Sequence, residues 1–206
     1  MAFGIHYTDT LAGRVFTQQT TPLGLALPLY TTTVAGTTGI CGMPIWNPPG
    51  SNRNVEMIEI NVAYASGTAG SGGVVIMGVP MVAIGSAPNP VSAFVTTSPV
   101  NQLLGSGVQP RTVSSNASAA STLTMTAAGT TLPPSATAAG PVRTLVGINA
   151  ETTATPAGTI LASYDFKGSL IVPPGYLIYL ACTVATTALY VSSVTWKEVP
   201  IVPNAG

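Results

Sequence analysis

The segment Glu56-Met57-Ile58-Glu59-Ile60-Asn61-Val62-Ala63-Tyr64 decides the fold class. Ile58, Ile60, Val62 and Tyr64 recur at every second residue, against Met57, Glu59, Asn61 and Ala63. A strand turns successive side chains to opposite faces, so a period of two buries one face and wets the other. The same period returns on either side of this segment. Leu23, Leu25, Leu27 and Leu29 share one face, and Pro28, which cannot donate to a ladder, marks an edge position. Thr122-Leu123-Thr124-Met125-Thr126 alternates briefly, and Ile160, Ala162, Tyr164 and Phe166 oppose Leu161, Ser163 and Asp165. Residues 74–77 and 177–184 are apolar on both faces and read as buried strands.

Turn chemistry separates these runs. Pro48-Pro49-Gly50-Ser51-Asn52, residues 66–73, residues 86–90 and Pro173-Pro174-Gly175 supply the required residues. The 22 Gly and 18 Pro punctuate the whole chain, and 29 Thr supply β-branched residues suited to half-exposed strands. No segment carries a convincing amphipathic helical pattern. Many short strands with frequent turns predict an all-β, antiparallel sandwich or barrel, with residues 1–206 as a single domain. Residues 1–20 are left open as an N-terminal arm. Residues 105–141, dominated by Ser, Thr, Ala, Gly and Pro, read as a long excursion: an arm over a neighbouring subunit or a surface loop.

Only 6% of the residues are charged, six Lys+Arg and six Asp+Glu, against roughly 25% in an ordinary soluble domain. Mean hydropathy is +0.47. Free monomers use charge for solubility and to guard sheet edges, so this chain is expected to hide surface against neighbours and to self-associate. Membrane insertion is not expected. The uncharged stretch between Lys167 and Lys197 is broken by Pro173, Pro174 and Gly175 and contains several Thr. The start, MAFGIHYTDT, lacks the basic and apolar regions of a secretory signal. Arg14, Arg53, Arg111, Arg143, Lys167 and Lys197 are spread along the chain without a basic run, so direct nucleic-acid contact is not expected.

Chemistry-bearing residues are sparse. His6 is the only histidine, which leaves little room for Ser-His-Asp or Cys-His arrangements. Glu56 and Glu59 are three apart, so on a strand they point to opposite faces and cannot form a general acid/base pair. Asp165 and Lys167 would share a face as an exposed ion pair, and Lys197 and Glu198 would point oppositely. Cys41 and Cys182 suit buried thiols better than a bridge or zinc site. The glycines of residues 67–73 lack the Lys-Ser/Thr of a phosphate loop and read as a hairpin loop. No catalytic, cofactor-binding or metal-binding residue is assigned, and no cofactor is expected.

Two C-terminal motifs remain: Gly168-Ser169-Leu170-Ile171-Val172-Pro173-Pro174-Gly175 ahead of an apolar strand, and Ser193-Val194-Thr195-Trp196-Lys197-Glu198-Val199-Pro200. Over about the last 45 residues the chain resembles the closing strands of jelly-roll-like structural proteins of tailed bacteriophages. There a G-x-L-x-V-P-P-G turn feeds a buried strand and an S-x-x-W-x-E-x-P strand ends the domain. The resemblance implies a jelly-roll-like β-sandwich. It also implies a virion role, foremost a head decoration or cement protein, present in the virion after assembly in the host cytoplasm. Its partners would be the major capsid protein or other virion proteins and its own copies, with a trimer favoured. A jelly-roll shell, head-fibre or tail component remains open beside that role. So does a carbohydrate or cell-surface binding module, for which Tyr30, Trp46, Tyr64, Tyr176, Tyr179 and Tyr190 could offer stacking faces. Exposure of Trp46 in a concave patch would favour that module.

Overall fold

The computed structural model describes residues 6–27, 29, 39–68, 72–80, 99–114, 121–123, 141–148, 160–184 and 186–201. Pro28, Tyr30, residues 86–90 and most of 105–141 therefore lie outside the described residues. One short helix, α1 (Tyr7–Leu11), precedes β1 (Val15–Gln19), β2 (Leu25–Ala26), β3 (Gly39–Asn47), β4 (Arg53–Ser66) and β5 (Gly72–Pro80). Then come β6 (Val100–Asn101), β7 (Val113–Ser114), β8 (Ser121–Leu123), β9 (Pro141–Ile148) and β10 (Ile160–Asp165). The last are β11 (Ile171–Val172), β12 (Tyr176–Cys182) and β13 (Leu189–Pro200). No helix among the described residues is long and apolar enough to cross a membrane.

Two antiparallel sheets result, and the all-β expectation holds. The first runs β10-β4-β13-β1-β6, with β11 also on β4 and β2 on β13. The second runs β7-β3-β12-β5-β9, with β8 on β3. The pairing is nested: β1 pairs with β13, β3 with β12, β4 with β10, and β5 with β9. Between them β13 also pairs with β4, and β12 with β5. β4 and β5 find partners in different sheets, so they do not pair with each other as the hairpin read from sequence at residues 67–73 would require.

One apolar cluster joins the inner faces: Phe16, Met57, Ile60, Val62, Tyr64, Tyr190, Val194 and Trp196 of the first sheet meet Ile45, Val74, Ile76, Ile178 and Leu180 of the second. Trp196 is fully buried and lies against Phe16, ring centroids 6.2 Å apart. The second sheet is buried on both faces at its centre, since Val75, Met77, Leu177, Tyr179 and Ala181 are covered as well. This matches the two-sided apolar runs. Among the described residues, Arg143 is the one charge on its strands.

The period of two in β4 breaks where the register against β13 shifts: Trp196 faces Met57 but Thr195 faces Glu59, leaving Ile58 as an extra, bulged residue. Met57 is consequently buried, Ile58 is not, and Glu56 and Glu59 both turn outward. The sequence reading that set them on opposite faces is corrected by this bulge. Of the leucine series, Leu25 and Leu27 are buried while Leu23 is exposed, since β2 spans only two residues.

The Pro173-Pro174-Gly175 corner forms as its chemistry requires. Gly175 takes a φ of +86°, a left-handed conformation that costs glycine little, and its N–H donates to Asn47 O at 2.7 Å. Buried Asn47 in turn donates through Nδ2 to Arg53 O and Val172 O, at 2.8 and 2.9 Å, and so pins both proline turns together. Of the first twenty residues, 15–19 form β1 inside the sheet, with Phe16 in the core. The described part of 105–141 is also tied in. β7 and β8 pair with β3, and Thr112 is buried.

Candidate functional site

Apart from Arg143, the charged side chains among the described residues collect on the first sheet and at its margins. Along β4, β13, β1 and β10 the outward residues are polar and in register: Asp165, Glu59, Thr195 and Thr17 form one row, and Ser163, Asn61, Ser193 and Gln19 the next. Thr17 and Thr195 share a hydroxyl hydrogen bond of 2.9 Å, and Gln102 Nε2 donates to Thr17 Oγ1 at 2.6 Å. Asn61 Nδ2 donates to Glu59 Oε1 at 2.9 Å.

At one end of this face lies an open groove of about 770 Å³, lined by His6, Glu56, Ile58, Glu59, Asp165, Lys167 and Lys197. Lys197 is its electrostatic centre, 3.0 Å from Glu56 Oε2 and 3.2 Å from Asp9 Oδ2. Arg14 approaches Asp9 more loosely, at 3.8 Å. Burial by itself would lower the Lys197 pKa; the hydrogen bonds to Glu56 and then Asp9 outweigh it and raise the ammonium above its ordinary value. The ion pairs therefore fasten α1 to β13 and β4. Asp165 accepts the Lys167 backbone N–H at 2.9 Å, and Lys167 itself has a φ of +49°. The chain turns there, so no Asp165–Lys167 ion pair forms among the described residues, unlike the strand reading. Lys197 and Glu198 do point oppositely, Lys197 outward and Glu198 into the interior.

His6 reaches the groove's wall, where its Nδ1 is buried without a hydrogen-bond partner. No group of three His, Cys, Asp or Glu side chains that could hold a metal ion occurs among the described residues. Glu56 is engaged by Lys197 and Glu59 by Asn61. Cys182 is a free, buried thiol. Burial pushes its pKa up to about 11, against a lowering hydrogen bond with Tyr190.

The aromatic residues considered for stacking are mostly interior. Tyr64, Tyr179, Tyr190 and Trp46 are buried, Trp46 at 6% exposure, and only Tyr176 is exposed. Tyr30 lies outside the described residues. Exposed apolar side chains gather elsewhere, on α1 and the adjoining segment 99–110. Tyr7, Leu11, Val100, Val108 and Leu104 are all exposed, Leu104 at 82%. Asn101 Nδ2 holds the two parts together by donating to Gly13 O at 2.9 Å and to Val108 O at 3.2 Å. This apolar rim was not legible in the sequence, because its residues are about ninety positions apart. Compared with known proteins, the chain matches no family model, no curated protein and no solved structure.

Proposed function

We propose that this chain is a non-enzymatic virion structural protein with a jelly-roll β-sandwich, specifically a decoration protein of a tailed-phage head. The observation that carries the reading is the nested pairing. Taking β1, β3, β4, β5, β9, β10, β12 and β13 as eight successive strands, first pairs with last, second with seventh, third with sixth and fourth with fifth. A long antiparallel ribbon wrapped into two sheets has this order, and viral capsid domains, lectins and cupins use that wrap. Cupin metal chemistry calls for a histidine cluster, and the chain has one histidine. A lectin-like stacking site calls for exposed aromatic faces, and Trp46, Tyr64, Tyr179 and Tyr190 are buried. With Tyr176 the one exposed candidate among the described residues, subunit contact is the use these observations favour.

The exposed apolar residues of α1 and segment 99–110 support the same reading, since exposed apolar side chains held close together mark interaction sites. We assign them to contacts between copies, with a trimer favoured, while the polar outer face of the first sheet is free to meet the major capsid protein. Light scattering behind size exclusion tests this. A closed oligomer that Leu104→Asp dissociates is the expected result. A monomer at every concentration, unchanged by Leu104→Asp, overturns the rim as an interface. Co-sedimentation with heads assembled from a co-expressed major capsid protein then tests the decoration role.

A further inference from the structure

Half of the chain's six cations meet in one pocket. Arg14, Arg53 and Arg111 line a cavity of about 440 Å³ beside α1 and the ends of β4 and β13, with Ala12, Gly13, Val108 and Pro200 along its sides. The one carboxylate in its wall is Glu198, 5% exposed. Its Oε1 is already occupied: Arg111 N donates at 2.8 Å, Thr112 N at 2.9 Å and Thr112 Oγ1 at 2.9 Å. The guanidinium groups are far less used. Arg111 gives one N–H to Ser51 O at 3.1 Å, Arg14 stands 3.8 Å from Asp9, and Arg53 makes no side-chain hydrogen bond or ion pair among the described residues.

Each guanidinium carries five donors in a planar fork that matches a carboxylate or phosphate edge. Three of them line the pocket against one committed carboxylate, and even with Asp9 near Arg14 the pocket stays net positive with most of its donors unspent. In a chain with 6% charged residues, such a gathering of one sign favours an anion. We propose that this pocket is an oxyanion site, which holds a carboxylate or phosphate group between Arg53 and Arg111 with Arg14 as a third, longer-range charge. The pocket is larger than such a group alone. The remainder of the ligand lies toward Gly13, Val108 and Pro200, beside the apolar rim.

Isothermal titration of the intact protein with inorganic phosphate and, separately, with glutarate tests the proposal. Saturable binding that weakens with added salt is expected, and Arg53→Ala weakens it about tenfold, as loss of a hydrogen bond to a charged group does. Arg111→Lys gives a similar loss while retaining the charge, because lysine lacks the fork. That variant keeps the backbone N–H on Glu198, so it is expected to fold, with circular dichroism and the melting temperature as checks. Arg143→Lys on β9 leaves the affinity unchanged. Binding of phosphate alone supports a free tetrahedral anion as the source; binding of glutarate alone supports a carboxylate. Absence of binding for both probes, or affinities that folded Arg53→Ala and Arg111→Lys leave unchanged, overturns it.

Discussion

Thr112→Val probes the clamp that closes the interior. Thr112 is buried, its hydroxyl donates to Glu198 Oε1 at 2.9 Å, and it accepts the indole N–H of Trp196 at 3.1 Å. Valine fills nearly the same volume, so the change removes one hydroxyl without opening a large cavity. Trp196 Nε1 is then orphaned in the core, which costs about 1–3 kcal/mol, and the lost bond to the carboxylate costs about 1.5–3 kcal/mol. The expected destabilisation is about 4 kcal/mol, a large fraction of the roughly 5–15 kcal/mol that holds a domain folded. Urea titration followed by far-ultraviolet circular dichroism reads it as a midpoint lower by about 1.5–2 M with an unchanged slope. Trp196→Phe supplies the control. The phenyl ring has no N–H, so Thr112→Val in that background costs less, by about 1 kcal/mol or more of coupling. A single-variant loss below about 0.5 kcal/mol, or a cycle with no coupling, refutes the clamp.

Three further outcomes are expected. Burial first, then the nearby Cys182, holds the Tyr190 hydroxyl up at about 12, and the Cys182 thiol is likewise raised, from 9.0 to about 11. Both are neutral acids that the unfolded chain ionises first, so their contribution is complete below pH 9 and falls as pH rises, to about 11 for Cys182 and about 12 for Tyr190, and Cys182→Ala flattens that slope in chemical denaturation series. Lys197 adds in the same sense: its raised pKa makes its ion pairs fully stabilising below the ordinary 10.5 and loses them above it. In a Cys41→Ser background, native Cys182 resists iodoacetamide at pH 8 while urea-unfolded protein reacts, by intact-mass spectrometry; equal rates would contradict a buried thiol. Gly168→Ala costs about 1–2 kcal/mol, since Gly168 has a φ of +78° and an added Cβ would sit 2.9 Å from Glu56 Oε1. Thermal melts showing no loss would argue against that turn.

The strands were legible wherever a simple period survives. The alternation from Ile60 to Tyr64, the two-sided runs and the proline corner all form where the residues place them. What escaped reading depends on partners distant in sequence. The bulge at Ile58 is set by register against β13, and it moved Glu59 to the same face as Glu56. Thr112 sits in a polar, low-complexity stretch that gives no local sign of a partner 84 residues away in Trp196. The convergence of Arg14, Arg53 and Arg111 is equally invisible along the chain, where they look evenly scattered.

The nested pairing also sets a timetable. Thr17 bonds to Thr195 across 178 positions, so β1 has no long partner while the intervening chain is being made. Loop closure on that scale delays its reward, and topologies dominated by such distant contacts fold in milliseconds to seconds. During synthesis, at about 5–20 residues per second, β1 emerges many seconds before β13. Its apolar Val15 and Phe16 stand exposed through that interval. The ribosome-bound chain is therefore the aggregation-sensitive form of this molecule, and holding β1 apart from other nascent copies is the task a chaperone would perform.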